Sequence, residues 1–306
     1  MRHLVVPGLS RPWPEGLAPP ATPRLDRLLA RADLGPGAAS GAEALFDRFE
    51  LPVAARSPAP ILWRGLTGQP APGWVVEVHP VHLRPDRDRL LLFPLPPGDL
   101  EPGEAAPFRD RFDAHFGELG LRLHLFAGPH WFVTTEQASR ARFTPLEQAL
   151  TMPLDEAMPA GEEAGAWRRW MNEVQMLFHD LEVNARREAQ GRLSVNGLWP
   201  ASAGRDPGPT GRAPRVVGAP REPLLQGLSA LAVEENADDE LIYFDDLARA
   251  HALGEAQALY RARARLETRL VDLLGGELKL HDAAGHTWHW RPAMRWRFWR
   301  RPAWGR

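Results

Sequence analysis

The apolar and polar positions along the chain alternate between two periods, and each change of period marks an element. Leu4-Val5-Val6 is a short apolar run broken by Pro7-Gly8, the pattern of a buried strand ending in a turn. Thr22-Pro23 followed by Leu25, Leu28 and Leu29 predicts a helix with proline at its first position, stopped by Gly35-Pro36-Gly37. A second short helix is expected over 42–49. Trp74 to Leu83 and Leu90 to Phe93 are apolar, β-branched stretches bounded by Pro and Gly, and read as two strands. Phe108, Phe112 and Phe116 recur at a spacing of four within 104–119, which places them on one face of a helix. Leu121 to Leu125 alternates like a half-buried strand, and Trp131-Phe132-Val133 follows. Residues 74–134 thus read ββαββ, a small α+β unit within a longer chain.

Downstream, a helix is predicted over 166–189 with Gly191 just past its end, then a strand from Leu193 to Leu198. Residues 200–220 are mostly Gly, Pro, Ala and Arg without apolar period, the signature of a long mobile loop. Leu228 to Val233 and Leu241 to Phe244 read as strands, 247–274 as one long helix, and 277–281 with 286–290 as a hairpin. The sum is an α/β protein: a core built from 1–70 and 151–306, with 71–150 as an inserted α+β subdomain.

Composition narrows the function classes. The 306 residues are 44% hydrophobic and 25% charged, enough apolar material for a sizeable core. A net charge of −2 gives no global positive field, which argues against nucleic-acid binding. Lys279 is the only lysine; the arginine excess reads as genome composition rather than phosphate recognition. The absence of cysteine excludes disulfides, thiolate metal sites and cysteine nucleophiles. No stretch of 18 apolar residues and no signal-peptide pattern occurs, so a cytoplasmic protein without membrane contact is expected. Walker A, GxGxxG and GxSxG patterns are missing, which removes most support for P-loop, Rossmann and serine-hydrolase chemistry.

Three constellations could carry chemistry. In Glu77 to Asp88, two imidazoles and several carboxylates lie close in sequence. His79, His82 and Asp86 could ligate a metal, though the run equally describes a solvated turn of alternating charge. On the 166–189 helix, Asp180, Asn184 and Arg187 share one face and could hold a phosphorylated or carboxylated ligand, arginine supplying a bidentate fork; a merely solvated face has the same pattern. The tail from Trp288 to Arg306 interleaves tryptophan with arginine, either to dock nucleic acid or protein or to pack on the body.

The run from His179 to Trp199, with Val183-Asn184, Arg187, Gly191 and Val195-Asn196, resembles a pattern shared by two groups. One is the RpfE-type regulatory proteins of proteobacteria; the other is the archaeal-type cofactor-independent phosphoglycerate mutases of the alkaline phosphatase superfamily. Pro80-Val81-His82-Leu83 with Asp86-Arg87-Asp88, and the ending Arg297-Phe298-Trp299-Arg300-Arg301, are similar to the RpfE type. The resemblance implies an alkaline-phosphatase-like core. It makes His179, Asn184, Arg187, Asn196 and Trp199 candidates for binding a phospho-metabolite. The superfamily's chemistry needs two metal ions, manganese or magnesium, whose ligands begin with an Asp after the first strand; here that strand ends Val6-Pro7-Gly8. Asp245, Asp246 and His251 read as a remnant of an Asp and His ligand pair. A fold kept with its catalysis lost is therefore expected, a regulator with a phosphorylated ligand or a protein partner. The alternative is an active metal-dependent mutase or phosphatase.

Overall fold

The computed structural model describes residues 1–87, 89–96, 98–101, 103–126, 130–218 and 222–300. In chain order the elements are β1 (Arg2–Val5), α1 (Pro23–Arg31), β2 (Asp33–Pro36), α2 (Gly41–Arg48), α3 (Pro58–Thr67), β3 (Trp74–Asp86), β4 (Arg89–Pro94), α4 (Ala105–Phe116), β5 (Arg122–Leu125) and β6 (Trp131–Thr135). There follow α5 (Leu146–Ala149), α6 (Leu154–Ala157), α7 (Ala164–His179), α8 (Glu182–Ala189), β7 (Gly197–Arg205), β8 (Arg212–Val216), α9 (Pro223–Leu231), β9 (Glu234–Tyr243), α10 (Asp246–Leu253), α11 (Ala256–Leu273), β10 (Leu278–His281) and β11 (His286–Trp290). The fold is mixed α/β and forms two compact units, residues 1–56 with 209–306, and residues 57–208. Among the described residues no helix is long and apolar enough to cross a membrane.

The first unit is built on a six-stranded sheet of order β2-β11-β10-β1-β9-β8. The four strands β10, β1, β9 and β8 run parallel; β11 returns antiparallel beside β10, and β2, antiparallel to β11, closes that edge in the direction of the other four. Strand alternation gives the sheet two unlike faces. Leu4, Ile242, Leu278, Leu280, Trp288 and Trp290 point into an apolar core completed by Leu25 and Leu28 of α1 and Leu266 and Leu270 of α11. His3, Lys279, His281 and Thr287 occupy the other face.

The second unit is a five-stranded antiparallel sheet, with β3 at its centre paired to β4, β6 and β7. Phe108, Phe112 and Phe116 of α4 and Trp167, Trp170, Val174 and Phe178 of α7 pack on one face against Val76, Val78, Trp131 and Val133. The predicted ββαββ order, the phenylalanine face and the C-terminal hairpin are all present.

Several expectations are corrected. Residues 57–70 and 151–208 belong to the inserted unit rather than the core, because β7 runs along β3 from Gly197 to Arg205 and draws the preceding helices with it, while α3 packs on the same two strands. Most of the predicted mobile loop over 200–220 is therefore strand, in β7 and β8, with 219–220 outside the described residues. Its small residues are what the packing admits: a Cβ on Gly197 would lie 2.9 Å from Leu83 Cδ1, and one on Gly204 would lie 3.0 Å from Ser57. Pro200, which has no N–H, sits where the β3 register shifts between Glu77 and Val78. Leu228 to Val233 is not a strand: Leu224, Leu225, Leu228 and Leu231 line the buried side of α9, at helical spacing. Each of the two long predicted helices is broken in two, at Asp180-Leu181 and at Gly254-Glu255, where Gly254 adopts φ 66°.

Candidate functional site

Parallel strands leave the ends of their connections open at the carboxyl edge, where α/β sheets commonly hold ligands. Here the turns after β8 and β9 meet α10 and α11 around a crevice of about 510 Å³, lined by Val217, Gly218, Glu222, Ile242 to Asp246, Arg249, Arg265 and Arg269. Asp246 opens α10, where the helix dipole favours a carboxylate. Its two oxygens are both engaged, by Arg249 at 2.8 Å and by Arg265 Nε at 2.9 Å, and Arg249 also reaches Asp245 at 3.2 Å. Burial raises the Asp245 carboxyl pKa above its ordinary value, against the pull of Arg249. Arg269 has no acidic partner among the described residues, and Arg265 spends only one side of its guanidinium on Asp246. The two forks can therefore accept a phosphate or carboxylate.

A two-metal centre does not fit this residue set. The β1 strand runs into Val6 and Pro7, and proline offers no carboxylate. Asp245 and Asp246 are already paired with arginine. His251 lies five to six residues along α10 from them, roughly 8 Å at 1.5 Å rise per residue. Burial and the nearby Arg11 lower its pKa. Among the described residues no three His, Asp or Glu side chains converge as a metal ion requires. His79, His82 and Asp86 are likewise spread along the 13-residue β3. His79 faces Glu77 at 3.5 Å, His82 Nδ1 lies 3.0 Å from the Ser194 carbonyl, and Asp86 is exposed. Asp88 lies outside the described residues.

The residues expected to bind a phosphorylated ligand are, apart from His179, turned into the second unit. Asn184, 2% exposed, donates to the carbonyls of Phe178 and Val195 and accepts from Val195 N–H. Arg187, fully buried, donates to Leu193 O, Asp99 and Glu104. Asn196 bonds both backbone groups of Leu83, as a neighbouring strand would. Trp199 is buried and donates to Thr144 O. These side chains hold the break between α7 and α8 and the start of β7 in place; their polar atoms are spent on the protein. His179 is exposed at the end of α7. In the tail, Trp288 and Trp290 are core residues, while Trp296, Phe298 and Trp299 are exposed. Arg297 and Arg300 bind Asp33, and Arg301 and Trp304 lie outside the described residues.

Sequence reasoning missed the crevice arginines, which sit among many in the Arg-rich α11. It also missed a polar group on the second sheet face. There His3 and His281 stack at 5.3 Å with Nδ1 of one 3.0 Å from Nε2 of the other. Such an N···N contact needs a free lone pair, hence a neutral ring. Burial first, then Arg48, holds His3 at about 3 and His281 at about 4. Nearby, Asp282 accepts from Ser10, from His286 Nδ1 at 2.8 Å and from two backbone amides. Ser10 and His286 share that carboxylate rather than bonding each other, so the trio is a hairpin lock and not a nucleophile with its base.

The fold and crevice together define an α/β protein with an arginine-lined cleft at the carboxyl edge of a parallel sheet. No family description and no curated protein matches the sequence. Solved structures similar to it include the following two. One is the cofactor-independent phosphoglycerate mutase from Thermoplasma acidophilum, at 16% identity and a TM-score of 0.39, over 94% of this chain and 88% of that one. The other is the PH0037 protein from Pyrococcus horikoshii, at 14% identity and a TM-score of 0.44, over 94% of this chain and 84% of that one.

Proposed function

We propose that this chain is a regulatory protein of the RpfE type, which binds a phosphorylated small molecule in the crevice at the carboxyl ends of β8 and β9 and does not transform it. The observation that carries this reading is the state of the crevice charges. Asp245 and Asp246 are tied to Arg249 and Arg265; Glu222 also lines the cleft, but among the described residues Arg269 and the open side of Arg265 have no carboxylate bound to them. Phosphate oxygens would take those forks. Asp245 and Asp246 then act as positioning residues that hold Arg249 and Arg265 in place. With proline at the end of β1, the chain lacks the first carboxylate that metal-assisted phosphoryl transfer would use.

The resemblance of residues 179–204 to the archaeal-type mutases makes 3-phosphoglycerate the first probe. Thermal unfolding is followed with 3-phosphoglycerate, with manganese, and with both. A ligand at 100 times its dissociation constant adds about 2.7 kcal/mol to the native state. A shift with 3-phosphoglycerate alone, lost in Arg269→Ala, supports the reading. A shift that needs manganese as well, followed by turnover, supports the active mutase instead. No shift removes this ligand class. The exposed Trp296, Phe298 and Trp299 favour a protein partner for signalling. A cytoplasmic setting, without membrane or nucleic-acid contact, belongs to the same proposal.

A further inference from the structure

The polar face of the six-stranded sheet carries a second cavity, of about 330 Å³, that shares no lining residue with the crevice. Its walls are Pro36, Gly37, Ala38 and Ala44, and its polar groups are Asp47, Arg48, Lys279, His281 and Thr287. We propose that this cavity binds a small oxyanion of the phosphate or phosphomonoester class, held by Lys279 and Arg48. Register brings the groups together. Lys279 stands beside His3 across the parallel β1 and β10 pair, His281 stands opposite Thr287 in the hairpin, and successive odd residues keep them on one face. Arg48 descends from the last turn of α2, with its guanidinium 3.2 Å from His3 Nε2.

Charge is unbalanced there. The one acid in the lining, Asp47, is paired with Arg56 at 2.8 Å. Neither Lys279 nor Arg48 has a carboxylate partner among the described residues, although both are half-buried. Half-buried cations without a counter-charge cost free energy that an anion relieves. The imidazoles beside them are neutral and spend their ring nitrogens on each other, on Thr287 and on Arg48, so they add no positive charge to the cavity and leave Lys279 and Arg48 to meet the anion. Their depressed pKa values report the same positive field, since Arg48 and Lys279 both lower them after burial. The cavity size matches phosphate or a small ester and is at the low end of the ~300–1,000 Å³ span of ligand pockets. Gly37 keeps the wall close: a Cβ there would lie 2.5 Å from the His286 carbonyl oxygen. In a chain whose other side-chain cations are all arginine, this is also the one position that carries lysine, a compact point charge suited to phosphate.

That single lysine makes the test clean. Acetylation of Lys279 by a soluble active ester is followed by mass spectrometry, with the N-terminal amine as internal control, in phosphate and in chloride of equal ionic strength. Phosphate at ten times its dissociation constant is expected to slow Lys279 about tenfold and leave the N-terminus unchanged, because only the free fraction reacts. Protection is expected to disappear in Arg48→Gln and to persist in Arg269→Ala, which separates this site from the crevice. Glycerol phosphate protecting at lower concentration than inorganic phosphate identifies an ester ligand, and the reverse order identifies free phosphate. Equal Lys279 rates in phosphate, glycerol phosphate and chloride overturn the proposal, and so does protection that survives Arg48→Gln. The native protein carries the main arm, so a variant that fails to fold does not remove the test.

Discussion

Asn184→Ala separates a framework role from a ligand role for the most recognisable motif in the chain. The Asn184 amide lies at the break between α7 and α8, is 2% exposed, and forms three hydrogen bonds of 2.8 to 2.9 Å. Alanine removes all three. The N–H and C=O of Val195, a residue with no exposed surface, lose this partner, and the Phe178 carbonyl loses its strongest donor. Each buried group left unpaired costs ~1–3 kcal/mol, so the variant is expected to lose about 3–5 kcal/mol. For a unit of about 150 residues that corresponds to a fall of roughly 10 °C in Tm. Asn184→Asp should be no better. Its carboxylate can still accept from Val195 N–H, but it has no proton to donate and sets a buried charge against two carbonyl oxygens. Urea unfolding reads the global loss, and hydrogen exchange at the Val195 amide reads the local one, because that N–H is released only if the bond to Asn184 was its protection. A loss below about 1 kcal/mol, with Val195 still protected, would refute the framework role. If ligand affinity vanished at the same time, the motif would have to be returned to binding.

Arg187→Ala removes the centre of a buried cluster with Asp99, Glu104 and Arg192, and is expected to cost ~3–5 kcal/mol in urea unfolding, because the carboxylates stay behind partly unpaired. Full stability would show that Arg192 alone suffices. The imidazole pair sets a pH dependence. His3 and His281 are held at about 3 and about 4, against 6.5 when exposed, so the unfolded chain binds protons that the native state refuses. Stability is then level above about pH 7 and falls as pH drops from 6.5 toward 4, by on the order of 5 kcal/mol. The facing groups, Arg48, Lys279 and the N-terminal amine against Asp47, Asp239 and Asp282, do not cancel this. His281→Gln should flatten the curve between pH 6.5 and 4, and an unchanged slope contradicts the assignment. Gly37→Ala forces a Cβ against backbone atoms of His286 at 2.5–2.6 Å and should destabilise the first unit by ~1–3 kcal/mol; a neutral effect in thermal unfolding would contradict the close approach.

Periodicity carried the sequence reading where burial is one-sided. Phe108, Phe112 and Phe116, and the alternation over Leu121 to Leu125, placed α4 and β5 because one face of each meets the core. It failed where both faces are confined or the apolar run is short. The Gly197 to Arg205 strand is mostly small residues, since α3 and Leu83 leave no room for more, and small residues carry no alternation. The single helix read over 166–189 overlooked Leu181, whose extended backbone is held by tertiary packing that no local signal reports. In the same way Asn184 and Arg187 were singled out correctly as unusual and assigned outward, although they are turned inward. Asp245 and Asp246 do line the crevice, but the arginines that neutralise them come from α10 and α11, and only the fold brings these together. The polar sheet face was beyond reach for a related reason: His3, Arg48 and Lys279 are far apart in sequence, and their meeting depends on strand order.

The central claim is that the crevice binds a phosphorylated molecule through Arg265 and Arg269 without metal. Calorimetric titration of 3-phosphoglycerate into the native protein in the presence of a chelator tests it most directly. Saturable binding in chelator, weakened at least tenfold by Arg269→Ala and with no product formed, is the expected result. Binding seen only after manganese is added and accompanied by turnover, or binding unchanged by Arg269→Ala, would contradict it.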